Sequence, residues 1–197
     1  MIKEEFSRRK EIIRNRLDDF SLVSENDYFY ELCFCLLTPG SKARQAEKVI
    51  DFLKEKDFEN RPLDFGEELK KVRFHNTKKK RLIDMKKSYP ALLREIKGNN
   101  DNFRLREYLV ENVNGLGYKE ASHFLRNIGR ENLAILDRHI LKNLVKFGAL
   151  DIVPDSLGRK NYLEIEQKLR QLAKENGLSM DELDLLFWSL ETGEVFK

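Results

Sequence analysis

The sequence predicts an all-α fold. Apolar residues recur at intervals of three and four positions along almost the whole chain, which is typical of amphipathic helices. The alternation with period two that marks strands is not sustained anywhere, and clusters of turn-forming residues interrupt the helical pattern. Short connections between helices of ordinary length indicate a compact helical protein.

The predicted helices follow one another along the chain with short turns between them. The first contains Phe6, Ile12, Ile13 and Leu17. Further helices are predicted at about residues 27–38, 42–56, 64–72, 77–97, 101–112, 118–129, 137–147, 159–176 and 179–192. Clusters of Gly, Pro, Asn, Ser and Asp mark the clearest breaks, at residues 38–41, 98–100, 114–117 and 148–154. A chain of 197 residues suffices for one large domain or two small ones.

The composition excludes several classes of protein. The only cysteines are Cys33 and Cys35, so a disulfide framework and a four-cysteine zinc or iron–sulfur site are excluded. No apolar run approaches the length that spans a bilayer, and the charged first residues do not form a secretion signal. We therefore expect a soluble, cytoplasmic protein without an iron–sulfur cluster.

Charge gives a weaker indication. The net charge of +3 is small for a chain in which 36% of residues are charged. One basic block stands out at residues 78–81, Lys-Lys-Lys-Arg, and Lys86 and Lys87 follow it. Such a block is compatible with a nucleic-acid backbone, although runs of this size more often form only a solvated helix face.

Residues 112–127, NVNGLGYKEASHFLRN, predict two helices joined by a tight hairpin. Gly115 and Gly117 flank one apolar residue, and glycine lets backbone N–H groups approach another molecule closely. The N-terminus of the following helix adds partial positive charge, so the hairpin could hold a phosphate. A plain connection between two helices would use glycine as well.

Lys119 and Asp137 are the candidate reactive pair. Lys119 lies in the first turn of the helix after the hairpin, where the helix dipole disfavours the charged amine and so favours a nucleophile. Asp137 follows the apolar residues 134–136 and precedes a helical stripe, which predicts the N-cap position. Capping alone would explain an aspartate here, and many lysines are merely surface residues.

Several strings in the chain resemble a known family. GLGYKEA at residues 115–121, followed by Asp137, resembles the helix-hairpin-helix superfamily of base-excision DNA glycosylases. The strings GYKEASHFLRNIG and AILDRHIL, with the ending LETGEVFK, are similar to the archaeal-type 8-oxoguanine DNA glycosylase/AP lyase family. Asn114 departs from the superfamily, which often has proline there, and residues 38–41 also differ from the family's usual turn.

The resemblance implies two helical subdomains with a DNA-binding cleft between them. Residues 24–131 form the central subdomain, with the helix-hairpin-helix at about 103–129, and residues 1–23 pair with 132–197. It further implies that Lys119 attacks the sugar, expels 8-oxoguanine and forms a Schiff base, after which β-elimination cleaves the strand. Asp137 stabilises the developing positive charge.

The resemblance also assigns residues that bind DNA. The flipped base is expected to contact Phe74, Trp188, Asp184 and Lys197, and the DNA backbone is expected to contact Gly115, Gly117 and His139. From the pattern alone, Trp188 lies outside the core stripe of its helix and could equally pack on the other subdomain, while His139 could be a structural histidine. A structural K⁺ or Na⁺ is implied at the carbonyls of Glu111, Val113 and Leu116.

The expected partner is double-stranded DNA that contains 8-oxoguanine. The protein is expected to act as a monomer and not to bind a membrane. Two alternatives remain open. The protein could be a glycosylase/lyase for another oxidised base, which would share the chemistry and differ in the pocket. It could also be a helix-hairpin-helix module that binds DNA without catalysis, in which Lys119 would contact a phosphate.

Overall fold

A computed structural model describes all residues, 1–197, and contains helices and no strands. The all-α prediction is confirmed. The α-helices are α1 (Ile2–Ser21), α2 (Tyr28–Leu37), α3 (Ala43–Glu55), α4 (His75–Gly98), α5 (Asn102–Asn112), α6 (Tyr118–Asn127), α7 (Arg138–Lys146), α8 (Arg159–Asn176) and α9 (Met180–Thr192). No helix is both long enough and apolar enough to cross a bilayer.

One predicted helix is wrong. The segment 64–72 contains only a short 3₁₀-helix, Glu68–Lys71, instead of an α-helix. Gly66 adopts a φ of +51°, which lies outside the right-handed helical region and interrupts the segment. The remaining stretch is too short for the cooperative formation of an α-helix.

Contacts within the chain divide it into two compact units. One unit combines Met1–Leu22 with Leu125–Lys197, and the other is Val23–Phe124. The transition after residue 124 lies inside α6, whereas the resemblance implies a boundary at about 131.

Helix α2 forms the core of the Val23–Phe124 unit. Nine of its residues, Phe29 to Leu37, are buried, and none of these except Glu31 is charged, so the helix is enclosed on all sides. Aromatic rings surround its start: the Phe29 ring centroid lies 5.2 Å from that of Tyr30 and 4.9 Å from that of Tyr89, in edge-to-face arrangements. Such contacts stabilise a core beyond the area they bury. Cys33 and Cys35 are buried within this helix as thiols and do not form a disulfide.

A buried lysine fixes the turn that follows α2. Lys78 is only 1% exposed, and its ammonium donates hydrogen bonds to the carbonyls of Leu37 (2.6 Å) and Pro39 (2.8 Å) and to the Ser41 hydroxyl (2.8 Å). A cation suits the partial negative charge at a helix C-terminus. Burial lowers the pKa of Lys78 to about 8. Lys78 is therefore a structural residue and does not belong to a solvated basic face.

Helix α9 lies at the centre of the other unit. Ser179 caps its N-terminus through a capping box with Glu182, and the Arg14 Nε of α1 donates to Glu182 Oε1 at 2.9 Å. The rings of Phe147 and Phe187 stack with an interplanar angle of 6°. Three acidic residues of this helix are buried beside apolar ones: Asp181, Glu182 and Asp184 are each less than 10% exposed. A buried carboxylate needs a partner, and clusters of such groups are frequent at functional sites, so α9 is a candidate to carry functional residues.

Candidate active site

The predicted hairpin between α5 and α6 is confirmed. Helix α5 ends at Asn112, α6 begins at Tyr118, and the Leu116 N–H donates to the Val113 carbonyl at 3.1 Å within the turn. Gly115 has a φ of +97°, a conformation that residues with a side chain rarely adopt. The left-handed conformation turns the chain back sharply enough for α6 to follow.

Arg81 of α4 lies across the hairpin. A Cβ atom built at Gly115 would be 2.4 Å from Arg81 Cδ and 2.8 Å from its Cζ, so the guanidinium stem rests on the glycine backbone. Glycine at position 115 therefore has two functions: it adopts the positive φ, and it leaves room for the Arg81 side chain. In the sequence Arg81 belongs only to a general basic block, whereas in the structure it lies at the hairpin, where a cation favours an anionic ligand.

Lys119 contacts a carboxylate that the sequence analysis did not consider. The Lys119 Nζ lies 2.9 Å from Glu120 Oε1, and the second oxygen, Oε2, accepts a hydrogen bond of 3.2 Å from the Gly117 N–H. The side chains of Lys119 and Glu120 are 32% and 14% exposed. A glutamate three residues after the N-cap is the signal that could have indicated the Gly117 contact, because this spacing is one half of a capping box.

Three further contacts tie α6 to α5. Tyr118 donates its hydroxyl hydrogen to Glu107 on α5. Arg106, which is 1% exposed, lies 5.3 Å from the Tyr118 ring centroid and donates to the Ser122 hydroxyl at 3.2 Å. The backbone that carries Lys119 is thus tied to α5 by a buried polar network.

Phe74 lies immediately before α4 in a strained backbone conformation. Its φ of +59° is left-handed, which is rare for a bulky residue, and 63% of the residue is exposed. A Cβ built at Gly40 would lie 3.1 Å from Phe74 Cε2, so the turn after α2 packs against one part of the ring. An exposed aromatic residue held in a strained conformation indicates a functional position.

Asp137 is the N-cap of α7, as the sequence predicted. Its Oδ1 accepts hydrogen bonds from the N–H groups of His139 (2.8 Å) and Ile140 (2.9 Å). The preceding residues 133–136 are buried, while Asp137 itself is half-buried. Because both cap bonds go to Oδ1, the carboxylate is held in place and Oδ2 remains free for another group.

His139 lies beside an acidic residue of α9. Its Nδ1 is buried and is 3.7 Å from Glu191 Oε2, which is beyond hydrogen-bonding distance. Glu191 accepts a hydrogen bond of 3.1 Å from the Asn143 amide instead. The predicted phosphate contact of His139 stays a prediction.

Asp184 forms a buried ion pair with Arg126. The Arg126 Nη1 donates to Asp184 Oδ2 at 2.6 Å, and both side chains are less than 10% exposed. The other carboxylate oxygen, Oδ1, is buried without a hydrogen-bond partner. Burial raises the pKa of Asp184 to about 7 against the opposing effect of Arg126, and the charges of Asp137 and Asp181 raise it further. The sequence did not indicate that Arg126 is the partner of Asp184, because the two residues lie far apart in the chain.

The remaining candidates for base binding lie at the end of the chain. Trp188 is half-buried, one helical turn after Asp184, and its ring centroid lies 6.4 Å from that of Phe196. Phe196 is 3% exposed and anchors the tail, so the neighbouring Lys197 is positioned rather than frayed. The predicted base contacts Asp184, Trp188 and Lys197 therefore belong to one unit, whereas Phe74 belongs to the other.

The raised pKa of Asp184 predicts a pH-dependent stability. Between about pH 4 and pH 7 the native state binds a proton at Asp184 that the unfolded chain has released, so the free energy of unfolding falls as the pH rises through this range. Relative to Asp184→Asn, the wild type should lose about 2 kcal/mol of stability between pH 5 and pH 8. Urea denaturation at both pH values measures the difference. Equal pH slopes for the two proteins would mean that Arg126 keeps Asp184 ionised throughout.

A family model described as 8-oxoguanine DNA glycosylase matches residues 13–178. An 8-oxoguanine DNA glycosylase/AP lyase of Korarchaeum cryptofilum is 40% identical over 194 residues, which covers 97% of this chain and 93% of the relative. The enzyme of the same name from Fusobacterium nucleatum is 42% identical over 199 residues, with 93% and 90% covered.

A solved structure extends the comparison to three dimensions. The crystal structure of the Methanocaldococcus jannaschii 8-oxoguanine glycosylase/lyase, in complex with a 15mer DNA that contains 8-oxoguanine, has a TM-score of 0.87 with this structure. The two chains are 33% identical, and the match covers 100% of each. The similarity therefore includes the hairpin, α7 and the C-terminal tail.

Proposed function

Because the chain belongs to the 8-oxoguanine DNA glycosylase family, we propose that it excises 8-oxoguanine from double-stranded DNA and then cleaves the strand at the abasic site. The observation that carries the proposal is the full-length match to a glycosylase/lyase bound to DNA with this lesion. DNA as substrate also favours a cytoplasmic location beside the chromosome.

Lys119 is the proposed nucleophile. A base stacked in a duplex is inaccessible, so the damaged nucleotide must first leave the helix. The Lys119 amine then forms a bond to the sugar C1′ while the bond from C1′ to the base breaks and its electron pair leaves with 8-oxoguanine. Ring opening gives a Schiff base, and loss of a C2′ proton expels the 3′ phosphate, which is the strand cleavage.

Asp137 is the proposed partner of this reaction. Positive charge develops on the sugar as the base departs, and a fixed carboxylate stabilises that charge without reorganisation. The cap bonds of Asp137 supply such a fixed carboxylate, with Oδ2 free to face the sugar.

The proposed contacts of the base are Phe74, Trp188, Lys197 and Asp184. Phe74 offers an exposed ring in a strained conformation, and Trp188 offers a half-buried indole. Aromatic faces stack on an extruded base, while charged groups read its edge. Asp184 contributes through the oxygen that Arg126 leaves without a partner.

The hairpin is the proposed backbone contact. The Gly115 N–H would bind a phosphate together with the Arg81 guanidinium, while Gly117, whose own N–H donates to Glu120, would let the backbone approach that phosphate closely. His139 would contact a second phosphate. The carbonyls of Glu111, Val113 and Leu116 are the proposed ligands of a monovalent cation that neutralises the same phosphate. The chemistry itself uses only side chains, so we propose that no cofactor is required.

A panel of lesions tests the function. Duplex oligonucleotides with 8-oxoguanine, an oxidised pyrimidine or undamaged guanine at the same position are incubated with the enzyme in EDTA and resolved on a denaturing gel. Cleavage of the 8-oxoguanine strand without added alkali is expected. Equal cleavage of the oxidised pyrimidine would favour a different lesion, and binding without cleavage would favour a non-catalytic module.

A further inference from the structure

The carboxylate of Glu120 joins the hairpin to the amine of Lys119. One oxygen accepts the Gly117 N–H at 3.2 Å and the other lies 2.9 Å from Lys119 Nζ. A Cβ built at Gly117 would be 3.2 Å from Glu120 Oε2, so glycine at 117 leaves room for this carboxylate. The position of the Glu120 carboxylate thus depends on the backbone of the turn at Gly117 as well as on the Lys119 side chain.

A helix cap accounts for only half of this arrangement. Capping requires one carboxylate oxygen to accept the N-cap N–H, and Oε2 does so. The second oxygen contacts the ammonium of the adjacent residue, although residues next to each other on a helix normally point in different directions. The lysine side chain must therefore turn back toward the start of its own helix.

We propose that Glu120 is a positioning residue for the nucleophile: its carboxylate, anchored on the Gly117 N–H, holds the Lys119 amine in place before the substrate arrives. The proposal rests on the proposed function of Lys119. Lysine has a long, flexible stem whose freedom opposes attack on a single carbon atom. In this role Glu120 acts through Lys119, because its carboxylate determines where the nitrogen lies.

Glutamine at position 120 separates the two roles of the glutamate. The single carbonyl oxygen of Glu120→Gln can still accept the Gly117 N–H, whereas its amide nitrogen donates hydrogen bonds and repels the Lys119 ammonium. Glu120→Ala removes both contacts. Melting temperature is expected to stay at the wild-type value in Glu120→Gln and to fall in Glu120→Ala.

The test measures covalent trapping by borohydride under single-turnover conditions, over a range of enzyme concentrations. Two duplexes are used, one with 8-oxoguanine and one with a preformed abasic site, which needs the amine but no base pocket. For Glu120→Gln we expect about a tenfold lower maximal trapping rate on both duplexes, since misplacing a reacting group by a fraction of an ångström has such an effect. The enzyme concentration that gives half-maximal rate is expected to stay unchanged.

Glu47→Gln is the matched control. Glu47 forms an exposed ion pair of 3.1 Å with Arg44 on α3, so this change removes one negative charge from the same unit without touching the hairpin. It should trap both duplexes at the wild-type rate. A wild-type rate for Glu120→Gln would overturn the proposal, as would a loss confined to the 8-oxoguanine duplex. An absence of adduct in the wild type itself would instead refute the proposed function.

Discussion

Lys119→Gln should form no borohydride adduct with 8-oxoguanine DNA, and its rate of base excision should fall by at least about 10³-fold, which is typical for the loss of a nucleophile. Glutamine resembles lysine in length but has no amine that could attack C1′. The side chain is 32% exposed, so the free energy of unfolding should change by no more than about 0.5 kcal/mol.

Binding assays separate this outcome from a general loss of DNA affinity. Lys119→Gln should still bind the 8-oxoguanine duplex in a gel-shift assay, since the hairpin backbone and Arg81 are unchanged. Lys168→Gln, which removes an exposed lysine from α8, serves as the control for the loss of one positive charge. A normal adduct from Lys119→Gln would show that another amine is the nucleophile.

Asp137→Asn should lower the excision rate by about 10²-fold, as expected when a preorganised charge that stabilises the transition state is removed. Asparagine caps helices as well as aspartate does, so the bonds to the His139 and Ile140 N–H groups can persist. The melting temperature should therefore stay close to that of the wild type. Single-turnover excision and thermal denaturation of the same sample measure the two quantities.

Asp137→Ala provides the contrast, because it removes the cap as well as the charge. It should lose activity and also about 1 kcal/mol of stability, the usual effect of deleting an N-cap. If Asp137→Asn kept wild-type activity while Asp137→Ala lost both, Asp137 would be a helix cap and nothing more.

The sequence was sufficient for most features that depend on residues close together in the chain. The helical periodicity, the glycine hairpin and the Asp137 cap are all patterns of this kind, and the structure contains each of them. The prediction of an α-helix at residues 64–72 was wrong. The apolar spacing there resembles that of a helix, but the left-handed Gly66 limits the segment to a short 3₁₀-helix.

Tertiary packing decided which charged residues are available for function. Lys78 belongs to a basic run in the sequence, yet packing buries it against the end of α2. Arg126 reaches Asp184 across 58 positions, and Arg81 reaches Gly115 from another helix. No periodic pattern indicates such pairs, because it does not determine which helices become neighbours.

Lys119 illustrates both what the sequence determines and what only the tertiary structure decides. The sequence alone determined that a lysine follows the hairpin at the start of a helix, since glycine conformation and helix initiation are local properties. Only the three-dimensional structure determined that its amine lies against the adjacent Glu120, because the sequence pattern places a residue on a helix but does not determine the direction that a long, flexible side chain takes.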